Sequence, residues 1–425
     1  MEHALAASQE QMLQSLDFSL SASASYVIQR TSSSFYPSGA SEMSPTGNQV
    51  VRVQLTSESF LDPETIRIQF SLANVGILTS VMPKSGPWCF FSRIRLLCGG
   101  TLLEDVFFSN RVNEMLINVL QPANYATDER VQGYNIWPGA QNEIPPGQSY
   151  TANFKPLCLG ILHCKKMWPA FAAGGGLTLE LYLAPANECT DGAAGQDWKI
   201  QQLEVKCDTV LMDSALENSY RRSLLDGKSL TIGYTTFHTI FQSFTKGTQN
   251  LSIPIVKAAT RIRGVLASFG ESNDPTEFLH PDANALAMAG GNSELYDSKV
   301  SLMVALGAKR FPIKPIDSSA FFYENLKKAL NIYSTSLGGF NIAPSKYMTT
   351  TFIAGVSMER VPGQQFSGVS SRAGDLIYLM FNGMPTSFTR PGFPAGVAGL
   401  TDRVWVTVIC DQIVELSAAG CVVFD

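Results

Sequence analysis

The sequence predicts an all-β chain of two tandem eight-stranded sandwiches with short helical insertions. Three observations carry that prediction. Runs of alternating apolar and polar residues recur along most of the 425 residues. They are punctuated by turn formers, 34 glycines and 22 prolines. One order of elements also occurs twice, roughly 200 residues apart, in Arg93–Leu120 (RIRLLCGGTLLEDVFFSNRVNEMLINVL) and Lys299–Leu330 (KVSLMVALGAKRFPIKPIDSSAFFYENLKKAL). In each, a strand-like run breaks at glycine and the stretch ends in an amphipathic, helix-like run.

The length suffices for two to three domains with large cores. Charged residues are only 16% of the chain and hydrophobic residues 45%, against about 25% charged in an average soluble protein. That deficit predicts a surface covered largely by neighbouring subunits, where lysine and glutamate are costly to desolvate. A neutral-surfaced secreted or structural protein is the plainer reading of the same numbers. A net charge of -5 argues against nucleic-acid binding through a strong positive field, and only Arg30 precedes Arg52 among basic residues. Eight cysteines with no CxxC pair read as buried, reduced thiols. There is no basic-then-apolar leader and no apolar run of membrane-spanning length, so a soluble compartment is expected.

Residues 1–49 read as an N-terminal arm. Leu5, Met12, Leu13, Leu16 and Phe18 give a helical stripe suited to docking on a neighbour or a lipid surface. Ser19–Asn48 reads as extended chain with little core of its own. The first sandwich is assigned to residues 50–213. VVRVQLTSESFLDPETIRIQFSLAN gives two alternating runs parted by an Asp-Pro turn, and FFSRIRLLCGG a strand closed by the Gly99–Gly100 turn. A helical run Glu104–Leu120 then ends at Pro122. Asn124–Ser149 reads as a long exposed loop, followed by strands in YTANFKPLCLG, ILHCKKMWPAF and LTLELYLAP. WKIQQLEVKCDTVLM is an alternating pair or one bent strand. The boundary falls in Asp213–Asp226, and the second sandwich is assigned to residues 226–425. In its final strand Val404, Val406 and Val408 oppose Trp405, Thr407 and Ile409, so both faces are apolar and a central position is expected. Module lengths of about 160 and 200 residues exceed the hundred or so of an immunoglobulin-type sandwich. With helical insertions, they fit jelly rolls better.

Four stretches carry a resemblance to a known group: Phe60–Asn74 (FLDPETIRIQFSLAN), Phe90–Leu116, Phe352–Phe381 (FIAGVSMERVPGQQFSGVSSRAGDLIYLMF) and Val404–Asp425 (VWVTVICDQIVELSAAGCVVFD). Together they resemble the double jelly-roll major capsid proteins of icosahedral double-stranded DNA viruses, a lineage that includes tailless phages, adenovirus-like particles and giant algal viruses. The resemblance covers about a quarter of the chain, and each stretch alone is degenerate. It implies a structural protein of the virion capsid, assembled inside the host cell, and a homotrimer forming pseudo-hexagonal capsomers. Neighbouring capsomers, penton and minor capsid proteins would be its partners. The arm would run beneath the shell toward neighbours or an internal membrane. The loops Asn124–Ser149, Gly270–Ser293 and Phe381–Ala398 would form towers or subunit contacts. The chain departs from larger members in its short loops. With no basic arm, strong direct nucleic-acid binding is not expected.

The residues themselves suggest no catalytic, cofactor-binding or metal site, and no enzyme activity. No GxSxG elbow, HExxH pair or Walker loop is present, and AGGG at Ala173–Gly176 lacks the lysine that phosphate binding needs. His163 lies near Cys158 and Cys164, but adjacent residues on a strand point to opposite faces, so a zinc site would need ligands from elsewhere. Asp411 and Glu415 are expected to cap or rim a sheet. Arg93, Arg95, Arg261 and Arg263 alternate within strands, which suits the lining of a ligand groove or, the plainer expectation, pairing with acids on neighbouring subunits. Two other readings remain: a carbohydrate-binding or glycoside-hydrolysing β-sandwich, which needs two carboxylates across a cleft, and a minor capsid or penton component.

Overall fold

The structure is a computed structural model. It describes residues 26–40, 42–120, 144–172, 176–191, 197–245, 247–270, 300–332 and 402–425, together with 347, 352–361, 364, 366–371 and 376–384. The apolar stripe of residues 5–18, most of each of the three long loops, His3, His280 and Lys299 lie outside the described residues.

Strands of the first module are β1 (Val27–Phe35), β2 (Val50–Leu55), β3 (Phe60–Asn74), β4 (Met82–Pro83), β5 (Phe91–Cys98), β6 (Thr101–Phe107), β7 (Ser149–Phe154), β8 (Trp168–Pro169), β9 (Leu177–Leu183), β10 (Thr190–Asp191) and β11 (Trp198–Met212). The second module holds β12 (Leu230–Ser243), β13 (Leu251–Ile255), β14 (Ile262–Gly270), β15 (Ser301–Leu306), β16 (Lys309–Ile316), β17 (Ala354–Ser357), β18 (Ile377–Asn382), β19 (Arg403–Ser417) and β20 (Gly420–Phe424). Helices are α1 (Ser109–Leu120), α2 (Ala186–Cys189), α3 (Ser214–Leu225) between the modules, and α4 (Ser319–Ala329).

The strand order is the same in both modules. The first module has sheets β1-β11-β3-β7 and β2-β9-β5-β6, and the second has β12-β19-β14-β17 and β13-β18-β15-β16. Leaving aside β4, β8, β10 and β20, which lie off these paths, the strands of each module can be counted in chain order. One sheet then runs first, eighth, third, sixth, and the other second, seventh, fourth, fifth. All paired strands are antiparallel. These are two jelly rolls in tandem, as expected. In each, the fourth and fifth strands form a hairpin that leads into a helix: β5, β6, α1 and β15, β16, α4.

Alternation sets the faces. β2 reads exposed–buried throughout, with Val51, Val53 and Leu55 inward. β19 is buried over nearly its whole length and sits between β12 and β14, the central place its two apolar faces predict. α4 has Ser318 as N-cap, its side chain accepting from the Phe321 N–H, and it buries Phe322 and Leu326 on β14 and β17. Lys327 and Lys328 lie in its last turn, where the helix dipole favours cations.

Several local expectations are corrected. The helix after Gly99–Gly100 begins at Ser109, because Thr101–Phe107 pairs with β5 as a strand. Asp62–Pro63 makes no turn: β3 runs through it, and a register shift opposite Lys206–Asp208 accommodates the proline, which has no N–H for the ladder. ILHCKKMWPAF is not a strand but a 3-10 turn at Gly160–His163 followed by the two-residue β8. WKIQQLEVKCDTVLM follows the second of its two readings, one long strand, bulged at Gln201–Glu204 where Gln202 has φ 51°. Part of the segment read as arm, Val27–Phe35, is the edge strand β1, paired with β11 and largely exposed. The surface that orders this part of the arm therefore belongs to its own chain.

Candidate functional site

The feature that organises the molecule is the seam between its modules. Two apolar cores form, and each borrows from the other side. Met115 and Val119 of α1 belong to the core of the second module. Ile232, Tyr234, Trp405, Val414, Leu416 and Cys421 of the second module belong to the core of the first. Burial of this interlocking kind contributes roughly 25 cal/mol per Å² of apolar surface and resists hinge motion.

Polar groups pin the seam. Arg111 on α1 is 3% exposed, and its guanidinium carbon lies 3.7 Å from the centroid of the Trp405 ring. It donates to the Phe269 carbonyl at 2.7 Å and the Ser268 hydroxyl at 3.2 Å. Burial pushes its pKa below the ordinary arginine value. Tyr234 donates its hydroxyl to the Leu103 carbonyl at 3.0 Å. Glu104 accepts from the backbone N–H of Gly160 at 2.9 Å and of Ile161 at 2.8 Å. Burial raises its pKa to about 7, opposed by those two bonds and by Thr236 across the seam. Gly160 is required there: a Cβ would lie 1.5 Å from the Thr235 carbonyl oxygen.

The strand arginines do not wait for another subunit. Arg93 makes a two-pronged bond to Asp105 at 2.7 and 2.6 Å, and Arg95 reaches Glu180 at 2.8 Å. Arg263 meets Glu359 at 2.5 Å and Asp411 at 3.5 Å, while Arg261 lies over the Phe366 ring. The expectation of pairing with neighbouring subunits is corrected for Arg93, Arg95 and Arg263, because cross-strand register brings acids of the same chain within reach. Asp411 does not rim a sheet either. It is 2% exposed and accepts from the Thr235 hydroxyl and the Phe366 N–H, both at 2.9 Å.

The residues weighed for chemistry are engaged elsewhere. His163 contacts the Pro156 carbonyl through Nε2 at 3.3 Å, and burial pushes its pKa down to about 4. Cys158 Sγ accepts from Asn113 at 3.3 Å, and Cys164 donates to the Gly233 carbonyl at 3.5 Å. Among the described residues no group of three or more His, Cys, Asp or Glu is placed to hold a metal ion. An open cleft of about 830 Å³ between Leu157–Lys166 and the β12 and β19 surface has Glu415 as its single carboxylate among the described lining residues. A second cleft, of about 310 Å³, includes Glu104, Asp105 and Asp425, the last paired with Lys257 at 3.5 Å. The carboxylates of Glu104 and Asp105 are held by Gly160, Ile161 and Arg93 and so are committed to the fold.

Outside the seam, several large apolar side chains stand in solvent. Ile77 and Leu78 in the loop after β3 are 88% and 91% exposed, and Ile313 on the edge strand β16 is 92% exposed. Sequence reasoning picked out none of these, because their neighbours in sequence give no periodic signal.

The fold with which this seam belongs is the double jelly roll. The chain shares it with the PBCV-1 virus capsid, at a TM-score of 0.62 and 12% identity over 96% of this chain and 99% of that one. It is similar to the Sputnik virophage structure, at 0.57 and 12% over 98% and 92%, and to the Faustovirus major capsid protein, at 0.53 and 9% over 96% and 93%. No protein-family model and no curated protein matches the sequence.

Proposed function

We propose that this chain is a major capsid protein, a non-catalytic building block of an icosahedral virion shell assembled inside the host cell. The observation that carries the reading is the repetition of one eight-strand order in two modules fused by a buried seam. Three copies of such a chain around an axis present six similar sandwiches, so the reading includes a homotrimer with a pseudo-hexagonal outline that tiles against its neighbours. Residues 50–213 and 226–425 are the two building modules, with β1 added from the preceding segment. Penton and minor capsid proteins are its further partners, and residues 1–25 supply a contact to a neighbour or an internal membrane. No strong direct nucleic-acid contact is included, in keeping with a net charge of -5.

Supporting observations are the low charge, the exposed Ile77, Leu78 and Ile313, and the similarity in fold to capsid proteins over nearly the whole chain. The test is mass analysis of the purified protein by size-exclusion chromatography with light scattering. Three times the chain mass of 46.2 kDa, or larger assemblies, is expected. A stable monomer at micromolar concentration overturns the reading.

A further inference from the structure

All eight cysteines are free thiols. Two of them meet across the seam. Cys98 ends β5 at the Gly99–Gly100 hairpin, and its cross-hairpin partner is Thr101. The Thr101 hydroxyl donates to the Cys421 carbonyl at 3.2 Å, which clamps β20 of the second module onto this hairpin of the first. In that clamp the side chains of Cys98 and Cys421 share a hydrogen bond, with both residues in one apolar core. We propose that Cys98 and Cys421 are a latent disulfide pair that closes between the modules when the protein meets an oxidising low-molecular-weight disulfide.

Three features single out this pair. Cys89 and Cys189 are also near each other, yet Cys89 donates to the Cys189 carbonyl and Cys189 to the Pro185 carbonyl, and both residues are fully buried. Cys421 is 9% exposed and lies on β20, which among the described strands pairs with β19 alone. Its thiol is also the one held below the ordinary value, by the bond shared with Cys98. The other seven are pushed up, Cys98 by that same bond and the rest chiefly by burial. The attacking sulfur must be reached by the small disulfide, and Cys421, at 9% exposure against 1% for Cys98, is the entry point.

The chemistry balances. Cys421 thiolate attacks one sulfur of the small disulfide and expels one thiolate, which takes up the proton of Cys98. Cys98 sulfur then attacks Cys421 Sγ and expels the second thiolate, which takes up from solvent the proton that Cys421 had given up. Two protein thiols lose two electrons, and one small disulfide becomes two thiols. The bond ties β20 to β5, so the chain is unlinked in a reducing compartment and stapled in an oxidising one. This inference does not depend on the shell reading.

The experiment treats the full chain with oxidised glutathione, blocks remaining thiols, digests with trypsin without reduction and sequences linked peptides by mass spectrometry. A Cys98–Cys421 link is expected, with a higher thermal midpoint than the reduced protein and loss of that gain in both Cys98→Ser and Cys421→Ser. Cys410→Ser should leave the link intact. Recovery of Cys98 and Cys421 as free or singly glutathionylated residues, or linked to other cysteines, overturns the proposal. Because the link is read in the unaltered protein, the result stands even if a serine variant fails to fold.

Discussion

The guanidinium of Arg111, from the first module, stacks 3.7 Å from the ring centroid of Trp405, from the second. A buried cation over an indole face, with two further hydrogen bonds to β14, adds a polar tie across the seam that the interlocking cores close. Arg111→Ala should cost about 3 kcal/mol, combining the lost charge-assisted bonds, the ring contact and the cavity. Urea denaturation should show a lower midpoint and separated transitions for the modules. A single unshifted transition would show that the seam does not depend on this residue.

Gly160 tests how closely the modules approach. Adding a Cβ at 1.5 Å from the Thr235 oxygen cannot be relieved by a rotamer change, since both groups are backbone. Gly160→Ala is expected to cost about 3 kcal/mol. Gly100→Ala, where φ is 87° but the space is open, should cost about 1 kcal/mol, from conformational strain alone. Thermal unfolding of the two variants side by side checks that order.

Glu104 makes the seam sensitive to pH. Its folded value, near 7, lies above its ordinary 4.5, so the folded state binds the extra proton. Its contribution is therefore fully present below pH 4.5 and is lost as pH rises through 7, by at most about 3 kcal/mol. His163 works in the opposite sense: with a folded value near 4 against 6.5, its contribution is present above pH 6.5 and lost as pH falls through 4. Subtracting the stability of Glu104→Gln from that of the wild type at each pH isolates the first effect. The difference should move against the wild type from pH 5 to pH 8.

The arginine pairs within the chain predict stability without assembly. Glu180 is nearly buried and serves both Arg95 and Arg52. Glu180→Gln should lower stability by about 1 to 3 kcal/mol, as measured by urea titration, and leave the oligomeric mass unchanged. A change of mass without loss of stability would assign these charges to subunit contacts instead.

How much of this was legible in the sequence differs by element. The strand, glycine turn and helix order of Arg93–Leu120 and Lys299–Leu330 was readable, because hairpin glycines and a switch of hydrophobic period leave local marks. The start of α1 was not: Leu102, Leu103 and Val106 fit a helix face as well as a strand, and only pairing with β5 decides for the strand. β1 was hidden in VIQRTSSSF, since an exposed edge strand needs no alternation and is fixed by its partner β11. The seam was invisible for a related reason. Nothing local to Arg111 or Glu104 announces that Trp405 or Thr236 lies opposite, more than a hundred residues away in the chain. The arginine partners failed likewise, because register across strands decides which acid a side chain meets.

On the proposed function, two like modules per chain would build a six-part capsomer. Negative-stain imaging of the purified protein, with class averages viewed down the assembly axis, tests it most directly. A compact particle with a six-sided outline built from three chains is expected. Averages that resolve single two-lobed molecules, or rings whose outline is not six-sided, would contradict it.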